Sequence, residues 1–166
     1  MPNWCSNNFS ITGNTESIKD LWDAANEKEG LLEAIAPIGD WEYGNAVDTW
    51  GTKWDVSLEG LEYTDHGDGT ASIAGWFDSA WAPPIAAYEQ LAADFDSCVI
   101  ECSYYEPGMD FAGFWSSEDG EEHLDNLHDE YEIPPEHRSD LYNRLDDEYN
   151  LSEQFAEWDE ENLVDE

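Results

Sequence analysis

An α+β fold, an antiparallel sheet with two helices on one face, is predicted by three features of the chain. Short segments of period-2 alternation recur, bounded by Gly, Asn and Asp turn residues. Two stretches with apolar residues at 3.6-residue spacing interrupt them. The chain also holds 9 Trp, 8 Tyr and 6 Phe among 166 residues. That is enough apolar mass for one core, since each ring can bury roughly 150–250 Å².

The elements follow in order. Asn8 to Thr12 (NFSIT) alternates and ends at Gly13, which reads as a first strand. Asn14 or Thr15 can then cap a helix whose apolar face is Ile18, Leu21, Trp22 and Ala25. Leu31 to Ile35 adds a short helical turn before Pro37, and the Gly-, Trp- and Asn-rich stretch from Gly39 to Thr52 reads as irregular. Trp54 to Tyr63 alternates, Asp65 to Gly69 supplies turn chemistry, and Thr70 to Phe77 returns as the second arm of a hairpin. Pro84 suits the first turn of a helix carrying Ile85, Tyr88, Leu91 and Ala92 on one face. Ser97 to Tyr104 reads as a strand, with Met109 to Trp115 as its partner across a Glu-Pro-Gly turn. The order is the split β-α-β-β-α-β, ferredoxin-like layout with one extra strand.

From Glu118 the composition changes. Residues 118–166 hold 20 acids against Arg138 and Arg144, a net −18, while residues 1–117 hold 21 acids against three lysines, also −18. Apolar residues still recur at helical spacing: Leu124, Leu127 and Tyr131; then Leu141, Leu145 and Tyr149; then Leu151, Phe155 and Trp158. Pro134 and Pro135 separate the first set from the second. The expected organisation is a ferredoxin-like domain over residues 1–117 and an acidic helical extension over 118–166 packed on it.

Four segments carry a family likeness: MPNWCSNNFSITG at the start, WGTKWDV (Trp50 to Val56), FDSAWAPP (Phe77 to Pro84) and YEPGMDFAGFW (Tyr105 to Trp115). In that order they resemble the YubB-type ferredoxin-like family carried by phages, plasmids and bacterial genomes. The resemblance covers roughly residues 1–117. It implies a ferredoxin-like fold and a mobile-element origin, and brings no catalytic residue or cofactor with it. The scarcity of Lys and Arg and the acidic helical tail depart from the family's usual make-up.

Chemical motifs are few. His66, in TDHGDGT, lacks the spacing of a calcium loop and reads as a hairpin turn. His123 and His128 are five residues apart, whereas zinc helices use i, i+4. Lys53 reads as a stem packed between Trp50 and Trp54 with its head on Asp55. Cys5, Cys98 and Cys102 are odd in number and read as buried free thiols. There is no nucleophile elbow, phosphate loop or nucleotide fingerprint, so neither an enzyme nor a cofactor is expected. No apolar stretch reaches the ~20 residues of a membrane span, and the N-terminus lacks the layout of a signal peptide. The expected place is the cytoplasm of a host cell.

Charge is the strongest functional signal. Five Lys and Arg against 41 Asp and Glu leave a formal charge of −36. Like charges on a small folded body repel and destabilise it, so a chain that keeps them uses them or lives in brine. The physical counterpart is DNA, with one negative charge per ~1.7 Å of duplex axis. The reading is a DNA mimic that occupies the basic groove of a host defence protein, a CRISPR effector or a restriction nuclease, without binding nucleic acid or membrane itself. Salt adaptation would spread the charge evenly, whereas here it doubles in density after residue 117. Two alternatives remain: an acidic regulatory or antitoxin-like module that binds one basic protein, and a salt-adapted protein of other function. The expected contact residues are Asp146, Asp147, Glu148, Glu153, Glu157, Asp159, Glu160 and Glu161, backed by Glu118, Asp119, Glu121, Glu122, Asp129 and Glu130.

Overall fold

A computed structural model describes residues 3–95 and 97–164, with side chains described as far as Glu161. Met1 and Pro2 of the first motif and Asp165 and Glu166 of the tail lie outside them. Strand β1 (Trp4–Asn14) turns Cys5, Asn7, Phe9 and Ile11 to one face of the sheet, all buried, and Ser6, Asn8 and Ser10 to the other. Its last residue caps α1 (Thr15–Lys28): the Asn14 side-chain oxygen accepts the Ser17 N–H at 2.8 Å. Ile18, Leu21 and Ala25 form the buried face of that helix, as its spacing predicts.

The short α2 (Leu31–Ile35) starts at an acceptor from far along the chain. Asp55 takes the Leu32 and Glu33 N–H groups at 2.7 and 3.0 Å, satisfying donors that a helix start leaves open. A third helix, α3 (Tyr43–Trp50), forms where irregular chain is expected. Its Ala46 and Trp50 sit one turn apart and are buried, and the Trp50 indole N–H donates to the Ala36 carbonyl at 2.8 Å. The Gly and Asn content of the segment hides this two-residue anchor. The hairpin is present as β2 (Leu61–Asp65) and β3 (Thr70–Ala80). β2 begins seven residues later than the alternation suggests, because the chain at 54–60 bends so that Asp55 reaches α2.

After α4 (Ile85–Asp94), for which Pro84 is the N-cap rather than a first-turn residue, come β4 (Val99–Glu106) and β5 (Phe111–Ser116). A further strand follows, β6 (Gly120–Asp125), where helix is expected from residue 118. Gly120 takes a φ of 77°, which a tight β-turn needs and a side chain resists. Glu122 and Leu124 then point to one face and His123 to the other. Leu124 is therefore placed by a period of two, and its three-residue spacing to Leu127 is coincidental.

All neighbours in the sheet are antiparallel, in the order β2-β3-β1-β4-β5-β6. The first four strands and helices α1 and α4 make the ferredoxin-like unit, and β5 and β6 extend it from the β4 edge. The first core lies between the sheet and α1, α2 and α4, centred on Phe9, Ile11, Ile73, Tyr88 and Ile100.

The helical extension begins after β6, with α5 (Leu127–Glu132), α6 (Asp140–Tyr149) and α7 (Leu151–Val164). Ser139 caps α6 by accepting the Tyr142 N–H at 3.1 Å. Leu127, Tyr142, Leu145, Leu151 and Phe155 pack with Tyr105 and Ala112 of the sheet's second face as a separate small core. No helix among the described residues is long and apolar enough to cross a membrane.

Candidate protein interface

The fourteen expected contact carboxylates fall on five structures. Glu118 and Asp119 sit in the β5–β6 turn, Glu121 and Glu122 on β6, Asp129 and Glu130 on α5, Asp146 to Glu148 on α6, and the remaining five on α7. Five of them have internal work. Glu122 pairs with Arg144 at 3.0 Å. Glu130 accepts the Ser139 N–H at 2.8 Å, and Asp146 accepts both the N–H and hydroxyl of Ser152, each at 2.8 Å. Glu148 accepts from the Asn8 amide at 2.6 Å and the Ser103 hydroxyl at 3.1 Å. Asp159 lies 3.0 Å from His128 Nε2.

The other nine are exposed and make no hydrogen bond or ion pair among the described residues: Glu118, Asp119, Glu121, Asp129, Asp147, Glu153, Glu157, Glu160 and Glu161. Four of these form a stripe. Glu153, Glu157, Glu160 and Glu161 recur at i, i+4, i+7 and i+8 on α7, opposite the buried Leu151 and Phe155, so packing that helix turns the carboxylates outward.

The five cations do not neutralise this surface. Lys19 pairs with Asp23 at 3.5 Å. Lys28 sits in the last turn of α1, where a positive charge complements the helix dipole. Lys53 lies 4.5 Å from the Trp54 ring centroid, but its expected partner Asp55 is engaged with α2 instead. Arg138 donates to the Tyr131 and Ile133 carbonyls that end α5 and stacks on Tyr131 and Tyr142. Arg144 lies over Phe114 and pairs with Glu122. Arg138 thus fastens the tail's own elements together, and Arg144 ties α6 to β5 and β6.

His66, His123 and His128 and the thiols of Cys5 and Cys102 are tied into the fold. His66 closes the β2–β3 turn, its N–H donating to the Thr70 carbonyl at 3.0 Å. His123 bridges Tyr104 and Asp125 at 2.8 and 3.0 Å, on a strand rather than the helix expected. His128 is clasped by Tyr131, Phe155 and Trp158 between α5 and α7. Burial pushes the Cys5 and Cys102 thiols up to about 12, so neither is thiolate near neutral pH. Of the aromatic side chains at helical spacing in α6 and α7, Phe155 is buried and Tyr149 half-buried, whereas Trp158 is 55% exposed.

One feature of the site is missed by reading the tail alone. Helices α6 and α7 pack on β4 and β5, α6 reaches β1 through Glu148 and Tyr149, and the second face of β2 and β3 stays open beside them. Between that face and α6 runs a groove of about 570 Å³, walled by Arg144 and Glu148 and floored by Ser10, Ser103 and Phe114. The alternation of Ser6, Asn8, Ser10 and Thr12 along β1 is its sequence signal: a polar second face with no apolar helix to receive.

The architecture defines the class: a ferredoxin-like α+β domain whose second face is partly covered by acidic helices. The chain belongs to the family described as the ferredoxin-like domain in Api92-like protein, whose model matches residues 49–162, from α3 into α7. It is also similar to the crystal structure of the protein api92 from Yersinia pseudotuberculosis, at 22% identity over 50% of this chain, with a TM-score of 0.37. That match spans 29% of the api92 chain. No curated protein matches.

Proposed function

We propose that this protein is a non-catalytic DNA mimic of a phage or other mobile element. In the host cytoplasm it would occupy the DNA-binding groove of a defence nuclease of the CRISPR-effector or restriction class. The observation that carries the reading is the α7 stripe. Glu153 to Glu161 spans ~12 Å at ~1.5 Å per residue, in steps of ~6, ~4.5 and ~1.5 Å, a mean of ~4 Å per carboxylate against ~3.4 Å per phosphate along one DNA strand. The mean charge density along the helix is thus close to that of one strand, and flexible Lys and Arg side chains built for phosphates can engage it. The mobile-element origin rests on the YubB-type resemblance of the four motifs.

The mechanism is electrostatic occupancy. A net charge of −36 steers association with a basic groove, a gain of about 10–10³-fold in rate at low salt. Exposed ion pairs contribute only ~0.2–1 kcal/mol each, so affinity is distributed over many contacts, and Trp158 is the aromatic placed to add to them.

The test is capture of the target from host lysate at ~0.15 M salt, with and without excess duplex DNA and beside a charge-matched polyanion. One nuclease that DNA displaces and the polyanion fails to hold is the expected result. A single basic partner that DNA does not displace would identify the antitoxin-like alternative. Recovery of the same mixture on both baits would mean a solvated surface only. Reversal of all four stripe carboxylates to Lys should abolish inhibition. If one alanine substitution alone does so, distributed contact is wrong.

A further inference from the structure

The groove beside α6 is more selective than the stripe. Four carboxylates line it, Glu101, Asp119, Glu122 and Glu148, against the single cation Arg144. Glu122 and Glu148 are already engaged, by Arg144 and by Asn8 and Ser103. Glu101 and Asp119 are exposed, and neither side-chain carboxylate makes a hydrogen bond or ion pair among the described residues. The two flank one residue: Glu101 stands opposite Ser116 in the β4–β5 register, and the Asp119 N–H donates to the Ser116 hydroxyl at 2.9 Å. The floor between them and β3 is made of small side chains, Ser10 opposite both Ala74 and Glu101. Trp76, 61% exposed, stands one rung along on the same open face, opposite Asn8.

The groove already displays its preferred guest chemistry. The Arg144 guanidinium lies 4.5 Å from the Phe114 ring centroid, and Nη1 is 3.0 and 3.2 Å from the two Glu122 oxygens. A planar cation is held there between an aromatic face and a carboxylate, the arrangement that suits arginine better than lysine.

We propose that this open sheet face seats an arginine side chain of the basic partner, its guanidinium shared by Glu101 and Asp119. This rests on the reading that the partner is a basic protein, but not on the partner's binding DNA. A guanidinium brings a fork of donors that carboxylates accept, and the net charge of the groove favours it. The site gives the surface a fixed docking point, which a uniform array of exposed carboxylates lacks.

The test titrates the intact protein with N-acetyl-arginine methylamide, and separately with the lysine analogue, while backbone amides are followed by NMR. The expected result is saturable shifts centred on Ser10, Glu101, Ser116 and Asp119 for the arginine probe. Affinity should be about tenfold weaker for the lysine probe and for E101Q/D119N. It should be unchanged in E153Q/E157Q/E160Q/E161Q. Both E101Q and D119N alter exposed side chains without internal partners, so the fold is kept, and unchanged spectra away from the groove check this. Equal response to both probes, or undiminished binding by E101Q/D119N, overturns the proposal. Binding in the groove together with a target that DNA fails to displace leaves this site standing and removes the DNA-mimic reading.

Discussion

Residues 1–117 and 118–166 carry the same net charge of −18, yet they use their carboxylates differently. In the first region six of the 21 acids accept backbone N–H groups among the described residues, against two in the second. Asp55 caps α2, Glu33 accepts the Ile38 and Gly39 N–H groups at 3.0 and 3.1 Å, and Glu106 accepts those of Gly108 and Met109 at 2.6 and 2.8 Å. Asp65 and Asp68 close the hairpin turn on Gly67 and Thr70. In the second region most of the expected contact acids face solvent without a partner. An acid count alone therefore says little about function. What separates a structural carboxylate from a free one is whether a turn or helix start presents open N–H groups to it.

The largest effect should come from the small core beneath the free acids. Leu145 is fully buried among only seven core residues there, so L145A should cost about 2–5 kcal/mol. Native-state hydrogen exchange should then show α6 and α7 losing protection while β1 and β3 keep theirs. If every amide loses protection together, the two regions are one cooperative unit and the contrast between them concerns charge alone.

A smaller effect separates the two kinds of acid directly. E106A strands two turn N–H groups beneath a fully buried side chain and should cost about 2–3 kcal/mol. E157A, on the free stripe, should stay within ~0.5 kcal/mol of the parent. Urea midpoints measure both. A comparable loss in E157A would mean that α7 uses its stripe internally.

The parts of this arrangement readable from sequence are those set by local pattern. The Asn14 cap, the α1 and α4 faces and the Asp65–Gly69 turn each follow from residues within one element. The bend at 54–60 was not readable, because Asp55 acts on a helix more than twenty residues before it. β6 was hidden for another reason: GEEHLD is short and charged, and it is a strand only because β5 offers an edge. Within the candidate site, the outward stripe of α7 follows from spacing around Leu151 and Phe155. The internal roles of Glu122, Glu130, Asp146, Glu148 and Asp159 depend on partners elsewhere in the fold. The open groove depends on which half of the sheet the helices cover.

The smallest and most diagnostic effect concerns Asp55. Its carboxylate takes three backbone N–H groups, from Leu32, Glu33 and Val56, which favour ionisation. Burial outweighs them, with the Glu33 charge adding to it, and the carboxyl is raised above its ordinary 3.8. A raised folded value means that the stability linked to this group is fully present below pH 3.8. It is lost as pH climbs through the folded value. Asn cannot titrate and accepts fewer N–H groups, so D55N should melt lower than the parent at acid pH. The gap should narrow as pH rises from ~4 to ~7. Thermal melts of both proteins across that range decide the sign. A gap that widens with pH would mean that the three N–H groups dominate over burial, and that Asp55 is held as a stabilised anion.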